Sequence, residues 1–187
     1  MDQHKIGKKA YVLVTIHRAE NTDDRERLSN ILDTLRIISQ ELAVILPLHP
    51  RTRKMIHHFA IEDHLKGLVV TEPLGFLDMM LLEKNARVIV TDSGGVQKEA
   101  YFHRVPCVTL RDETEWVETI ETRWNILANV NTVRGITEAI RTSLTLSDAR
   151  PEINEYGDGQ ASQKIVRLLE RYFNDGDEAK TRGILHA

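Results

Sequence analysis

Short apolar runs alternate with longer amphipathic ones along this 187-residue chain. Five runs have strand length: YVLVTI (11–16), AVILPL (43–48), GLVVT (67–71), RVIV (87–90) and CVTL (107–110), with NILAN (125–129) a weaker sixth. Most are continuously apolar and rich in β-branched residues, the pattern of strands buried on both faces of a parallel sheet. Between the first two, Leu28, Ile31, Leu32, Leu35, Ile38 and Leu42 recur at three- and four-residue spacing. That stripe predicts an amphipathic helix over 23–42. Thr22 or Asp23 can cap it, with Glu26 three residues after Asp23 in the manner of a capping box. Further helices are predicted over 53–59, 76–84, 96–102 and 132–144, with a terminal helix over 160–173. The stretch LSDARPEINEYGDG (146–159) reads as a linker and the tail after Asn174 as frayed.

Strand and helix in repeated alternation imply right-handed crossovers and an α/β fold: a doubly wound, Rossmann-like parallel sheet with helices on both faces. The length predicts a single domain over 1–187, with its core over 10–145. Sheets of this kind bind ligands beyond the carboxyl ends of their strands. The segments in those places are HRAEN (17–21), HPRT (49–52), EPLGF (72–76), TDSGG (91–95) and RDETEW (111–116). Polar and ionisable groups therefore gather on one edge of an otherwise apolar sheet.

Composition narrows the partners. The formal net charge is -3 and Lys and Arg are interleaved with Asp and Glu, so no basic excess argues for nucleic acid. The single cysteine, Cys107, excludes an internal disulfide, fits a reducing cytosol and reads as a small core residue at the start of a strand. No apolar run approaches the ~18 residues of a membrane span, and MDQHKIGKK has no signal-peptide core. A soluble cytoplasmic protein without membrane partners is expected. His57, His58 and His64 lie close together but lack a recognised ligand spacing. They read as surface histidines, and neither metal nor cofactor is expected.

The sharpest chemistry lies in VTDSGGVQKEA (90–100), where an apolar run hands over to a helix. A helix N-terminus exposes unpaired N–H groups and carries roughly half a positive charge. Glycines there let an anion reach the backbone, and Ser93 supplies a hydroxyl and an N-cap. Glu99, about one turn in, can accept hydrogen bonds from the vicinal hydroxyls of a ribose. A glycine-rich tight turn capped by serine is the alternative reading. The stretch is neither a P-loop nor a G-x-G-x-x-G fingerprint, which demotes ATP and NAD.

VTDSGGVQKEA together with VTIHRAEN, PLGFLDMMLLEKNARVIVTDSGG and VPCVTLRDETEW resembles the C-terminal half of the non-hydrolysing UDP-N-acetylglucosamine 2-epimerases, over residues 11–172. The resemblance implies one half of a GT-B-like fold, in which two Rossmann-like domains close over a UDP-sugar. It implies that Ser93, Gly94 and Gly95 hold the diphosphate, that Glu99 takes the ribose hydroxyls and that Phe76 flanks the uracil. For Phe76, a core aromatic at a helix start is the alternative. His17 would face the cleft near the phosphates and the reacting sugar, with Arg18 and Asn21 supporting its loop; a surface role is the alternative for those two. The implied reaction inverts C2 by anti elimination of UDP to a 2-acetamidoglucal, followed by re-addition. The acid and base carboxylates belong to the family's N-terminal domain, so this chain is expected to be half an enzyme, with the other half and a homo-oligomer as partners.

Two departures bear on substrate and control. Ala19 stands where many members have an arginine that helps bind a second, activating UDP-sugar. Trp116 stands where the TERPE version has a phosphate-contacting arginine, and Arg111 could compensate. The tryptophan version is similar to members acting on modified sugars such as UDP-2,3-diacetamido-glucuronate. The nucleotide half of a GT-B glycosyltransferase and a non-catalytic UDP-binding module remain as rival readings.

Overall fold

The computed structural model describes residues 7–146, 150 and 156–184, from 174 onward by backbone alone. It divides into two compact units, Met1–Arg150 and Pro151–Ala187. The first carries six parallel strands: β1 (Tyr11–Thr15), β2 (Ala43–Pro47), β3 (Val69–Thr71), β4 (Val88–Thr91), β5 (Cys107–Thr109) and β6 (Asn125–Leu127). Their order is β3-β2-β1-β4-β5-β6, so the doubly wound sheet inferred from the sequence is present.

The continuous apolarity of β1 to β5 has a direct cause: each of these strands feeds two cores. Alternate residues Val12 and Val14 of β1, with Val88 and Val90 of β4, pack into a core with Leu28, Ile31, Leu35 and Ile140. Tyr11 and Leu13, with Ile89, face the opposite core, against Leu82, Ala86 and Ala100. Helix α2 (Arg25–Ile38) and helix α7 (Val133–Thr145) supply the first core, while α4 (Phe76–Asn85) and α5 (Gly94–Phe102) supply the second. Tyr11 crosses that second layer to donate to the carbonyl of Leu82 at 2.6 Å, and burial pushes its hydroxyl up to about 12. Cys107 is buried in the same layer, as expected of a core residue.

Several boundaries differ from the sequence expectation. A four-residue helix α1 (Ala19–Thr22) precedes α2, and the N-cap of α2 is Asp24, whose carboxylate accepts from the N–H groups of Glu26 and Arg27. Thr22 and Asp23 are instead bonded by Arg51 across the strand ends, which removes them from capping. Helix α3 (Pro50–His58) starts before residue 53, because Pro50 suits a first helical turn and His49 caps it by accepting from Arg51 N–H. A 3-10 turn at Glu62–Leu65 and a short α6 (Val117–Glu121) are additional. Ser93 and Thr132 cap α5 and α7 through their hydroxyls. In the second unit, α8 runs from Ala161 to Ile184, past the end at 173 expected from the sequence. Most of the linker expected over 146–159 lies outside the described residues.

Candidate functional site

Strand order reverses between β1 and β4, and the segments leaving those two strands meet. Asp92, directly after β4, is fully buried. It accepts from the backbone N–H of His17 at 3.1 and 3.0 Å, from that of Arg18 at 3.0 Å and from Asn21 Nδ2 at 3.1 Å. The His17 imidazole stands over the same carboxylate, Nδ1 to Oδ1 at 3.2 Å. That contact turns Nδ1 toward the carboxylate and leaves Nε2 as the other ring nitrogen of a side chain that is 40% exposed. Asn21, itself buried, also donates to the Leu110 carbonyl at 2.9 Å, tying the loop after β1 to the end of β5. Asp92 is thus the hub of the site. The sequence signal was modest: a carboxylate at the carboxyl end of a buried strand.

Helix α5 begins beside this hub. Thr91 Oγ1 accepts from Ser93 N–H at 2.9 Å and lies 2.6 Å from Thr15 Oγ1, fixing the turn into the helix. Ser93 Oγ accepts from Val96 N–H at 3.4 Å. The two glycines have different surroundings. A side chain on Gly95 would meet only Ser93 Oγ, at 3.8 Å, so the space above it is open. A side chain on Gly94 would collide with the carboxylate of Glu115. The loop after β5 folds over the helix start, and glycine at 94 makes room for it.

That loop is tightly held. Arg111 Nη1 and Glu115 Oε2 pair at 2.6 Å, and Arg27 pairs with Asp112 at 3.1 Å. Glu115's own backbone N–H, then Arg111, hold its carboxyl below the usual range against some burial, and Arg18 acts in the same direction. Thr114 donates to buried Gln97 of α5 at 2.6 Å. Asn125 donates to the same Gln97 oxygen at 3.2 Å and accepts from Thr109 at 2.8 Å. Lys98 lies 4.3 Å from the centroid of the Trp116 ring. Gln97 and Asn125 had no local sequence signal, since their partners are distant in the chain.

A cavity of about 190 Å³ opens at this edge and is lined by Thr15, His17, His49, Pro73, Leu74 and Ser93, among others. The His17 and His49 rings lie 5.5 Å apart across it. Of the residues singled out in the sequence, His17 and Ser93 share this cavity, whereas Phe76, Glu99 and Arg111 do not line it. Phe76 opens α4 with 67% of its surface exposed, which excludes the core-aromatic alternative. His57 pairs with Glu62 at 2.8 Å and His64 with Asp33 at 3.0 Å. Among the described residues no cluster of three His, Cys, Asp or Glu could hold a metal, and no helix is long and apolar enough to cross a membrane.

Known proteins are similar to this chain in sequence and in fold. A protein named as a UDP-N-acetylglucosamine 2-epimerase homolog of Methanococcus maripaludis is 45% identical over 174 residues, covering 90% of this chain and 47% of its own length. The UDP-2,3-diacetamido-2,3-dideoxy-D-glucuronate 2-epimerase of Pseudomonas aeruginosa is 45% identical over 169 residues, 88% of this chain and 46% of that protein. The crystal structure of the Methanocaldococcus jannaschii UDP-GlcNAc 2-epimerase in complex with UDP-GlcNAc and UDP superposes with a TM-score of 0.77 at 40% identity, over 88% of this chain and 46% of that one. The chain therefore spans about half the length of the curated relatives it matches. The profile of the UDP-N-acetylglucosamine 2-epimerases matches residues 1–170, and the chain belongs to that family.

Proposed function

We propose that this chain is the nucleotide-holding half of a UDP-N-acetylglucosamine 2-epimerase, interconverting UDP-GlcNAc and UDP-ManNAc when closed against a second domain. The observation that carries this reading is the uncovered start of α5 at Gly95, beside a histidine fixed by a buried carboxylate at the sheet's switch point. N–H groups there receive the diphosphate, and the helix dipole stabilises the charge that UDP gains as its bond to C1 breaks. Glu99 accepts the ribose hydroxyls and exposed Phe76 stacks on the uracil. Arg111 neutralises Glu115 in the open chain, and exchange of that partner for a phosphate oxygen adds its cation to the diphosphate site. His17 presents Nε2 to the leaving group while Asp92 fixes the ring, with Arg18 N–H and Asn21 completing the carboxylate's shell. The proton removed from C2 and returned to its other face passes through groups of the complementary domain.

Calorimetry tests the ribose assignment. Glu99→Ala is expected to weaken UDP binding by about 1–3 kcal/mol, the scale of charge-assisted hydrogen bonds. Unchanged affinity would remove Glu99 from the site. Gly95→Val separates the diphosphate from the rest. Its side chain enters open space, so the fold tolerates it, but it occupies the anion's approach. UDP is expected to lose at least about tenfold in affinity and uridine far less. Equal losses for both ligands would mean general damage rather than a blocked anion site.

A modified UDP-sugar is the second reading, favoured by Trp116 and by the Pseudomonas aeruginosa relative. Proton NMR of the assembled enzyme with each sugar distinguishes the two by which one acquires the inverted C2 signal.

A further inference from the structure

Trp116 is held by a closed circuit of hydrogen bonds beside the start of α5. Its N–H donates to Thr114 Oγ1 at 3.1 Å, and that hydroxyl donates to Gln97 Oε1 at 2.6 Å. Its carbonyl accepts from Thr119 Oγ1 at 2.6 Å and from Thr119 N–H at 3.0 Å. Asn125 Nδ2 closes the circuit, donating to Thr119 Oγ1 and to Gln97 Oε1, each at 3.2 Å. Gln97 and Thr119 are fully buried and Asn125 is nearly so, which shields these bonds from water. The indole fixed in this way lies against the first turn of α5: its Nε1 is 3.4 Å from the point where a side chain on Gly94 would begin. Lys98 Nζ stands 4.3 Å from the centroid of the same indole. Helical side chains lean toward the N-terminus, and residues three and four apart share a face. Lys98, four residues after Gly94 and three after Gly95, therefore carries its ammonium back toward that turn.

We propose that Lys98 supplies a cation that grips the diphosphate at the start of α5, and that Trp116 is the positioning residue that keeps the ammonium there. The inference rests on the assignment of the diphosphate to Gly95 made above, and adds a residue to that site. Charge explains why a cation is needed. A helix N-terminus contributes roughly half a positive charge, against about two negative charges on the diphosphate of a nucleotide sugar. Arg111 and Glu115, paired at 2.6 Å, offset each other and bring no net charge to the turn. Lys98 does bring one. A phosphate oxygen can take one of the ammonium's three donors while the cation stays over the indole. A lysine stem is flexible, and holding it over the indole beforehand reduces the ordering that binding requires.

The test is calorimetric titration of the 187-residue chain with UDP and with uridine. Lys98→Met is expected to weaken UDP about tenfold, the scale of one charge-assisted hydrogen bond, and to leave uridine within about twofold. Lys98→Arg, which keeps the charge and the contact with the indole, should stay within about threefold of wild type for UDP. Trp116→Leu should weaken UDP about threefold in the wild-type chain and have no further effect in the Lys98→Met chain, because its role runs through Lys98. A Trp116 that merely supports the fold would cost the same factor in both backgrounds and for both ligands. Unchanged UDP affinity in Lys98→Met, equal losses of UDP and uridine, or additive losses in the double variant would overturn the inference. Gly95→Val keeps it distinct from the reading it rests on. If Gly95→Val weakens UDP selectively while Lys98→Met does not, the diphosphate site stands and the inference falls. If Gly95→Val fails to separate UDP from uridine, the site assignment falls and the inference with it.

Discussion

Asp92→Asn is expected to destabilise the chain by about 3 kcal/mol and to release His17 from its fixed orientation. The carboxylate is fully buried and faces donors only: two backbone N–H groups, the Asn21 amide and His17 Nδ1. An asparagine keeps one acceptor oxygen and turns an NH₂ toward groups that also donate. Each charge-assisted bond contributes roughly 1.5–3 kcal/mol, and a buried donor left unpaired costs about 1–3 kcal/mol. Partial rearrangement of the loop recovers some of this, so the sum is an upper bound. Urea unfolding followed by circular dichroism reads the loss. The ¹⁵N shifts of the His17 ring read the tautomer, which should move from protonated Nδ1 toward a mixture. An unchanged midpoint with an unchanged tautomer would mean that Asp92 neither holds the loop nor orients the ring.

The same hub shows what the sequence could and could not convey. Continuous apolar runs identified five strands because both faces of those strands are buried and none needs a polar side, whereas the sixth carries polar Asn125 and gave a weaker signal. Ser93 was legible as a cap because capping is a local rule, and it holds. Capping of α2 was misplaced because two adjacent aspartates compete there and a distant arginine decides between them: Arg51 draws off Asp23, leaving Asp24 for the helix. The loop at 111–116 was visible as a polar strand end, but its anchoring by Gln97 and Asn125 joins parts of the chain with no common local pattern. Glu83 was the hardest to see. Inside LLEKNA it reads as an ordinary charged residue on a helix, and only the packing of α4 against α5 reveals that it is buried. The family motifs pointed to the candidate site; long-range bonds determine how its groups are held.

The 187 residues by themselves are expected to bind UDP and yet not to epimerise UDP-GlcNAc at a measurable rate. Inversion at C2 needs one group to remove a proton and another to deliver one to the opposite face. Carboxylates at the sheet edge are already engaged. Asp92 is buried beneath N–H donors, Glu115 is paired with Arg111 at 2.6 Å and Glu72 with Arg53 at 2.6 Å. Glu20 lies 3.9 Å from Arg18 on an exposed turn. None of them is presented toward the cavity beside His17, and the cavity itself is open on one side. Loss of an acid or base costs factors of roughly 10²–10⁴, and loss of the wall that positions the sugar and excludes water costs more. Mixing the chain with the N-terminal half of a family member should restore turnover, read as deuterium incorporation at C2 in D₂O. In that assembly His17→Ala should lower turnover about 10²-fold or more while UDP affinity stays within about threefold, because the imidazole serves the leaving group rather than the nucleotide's grip. Robust incorporation by the 187-residue chain alone would place the proton-transferring carboxylate on this half, with Glu20 or Glu72 the first residues to replace.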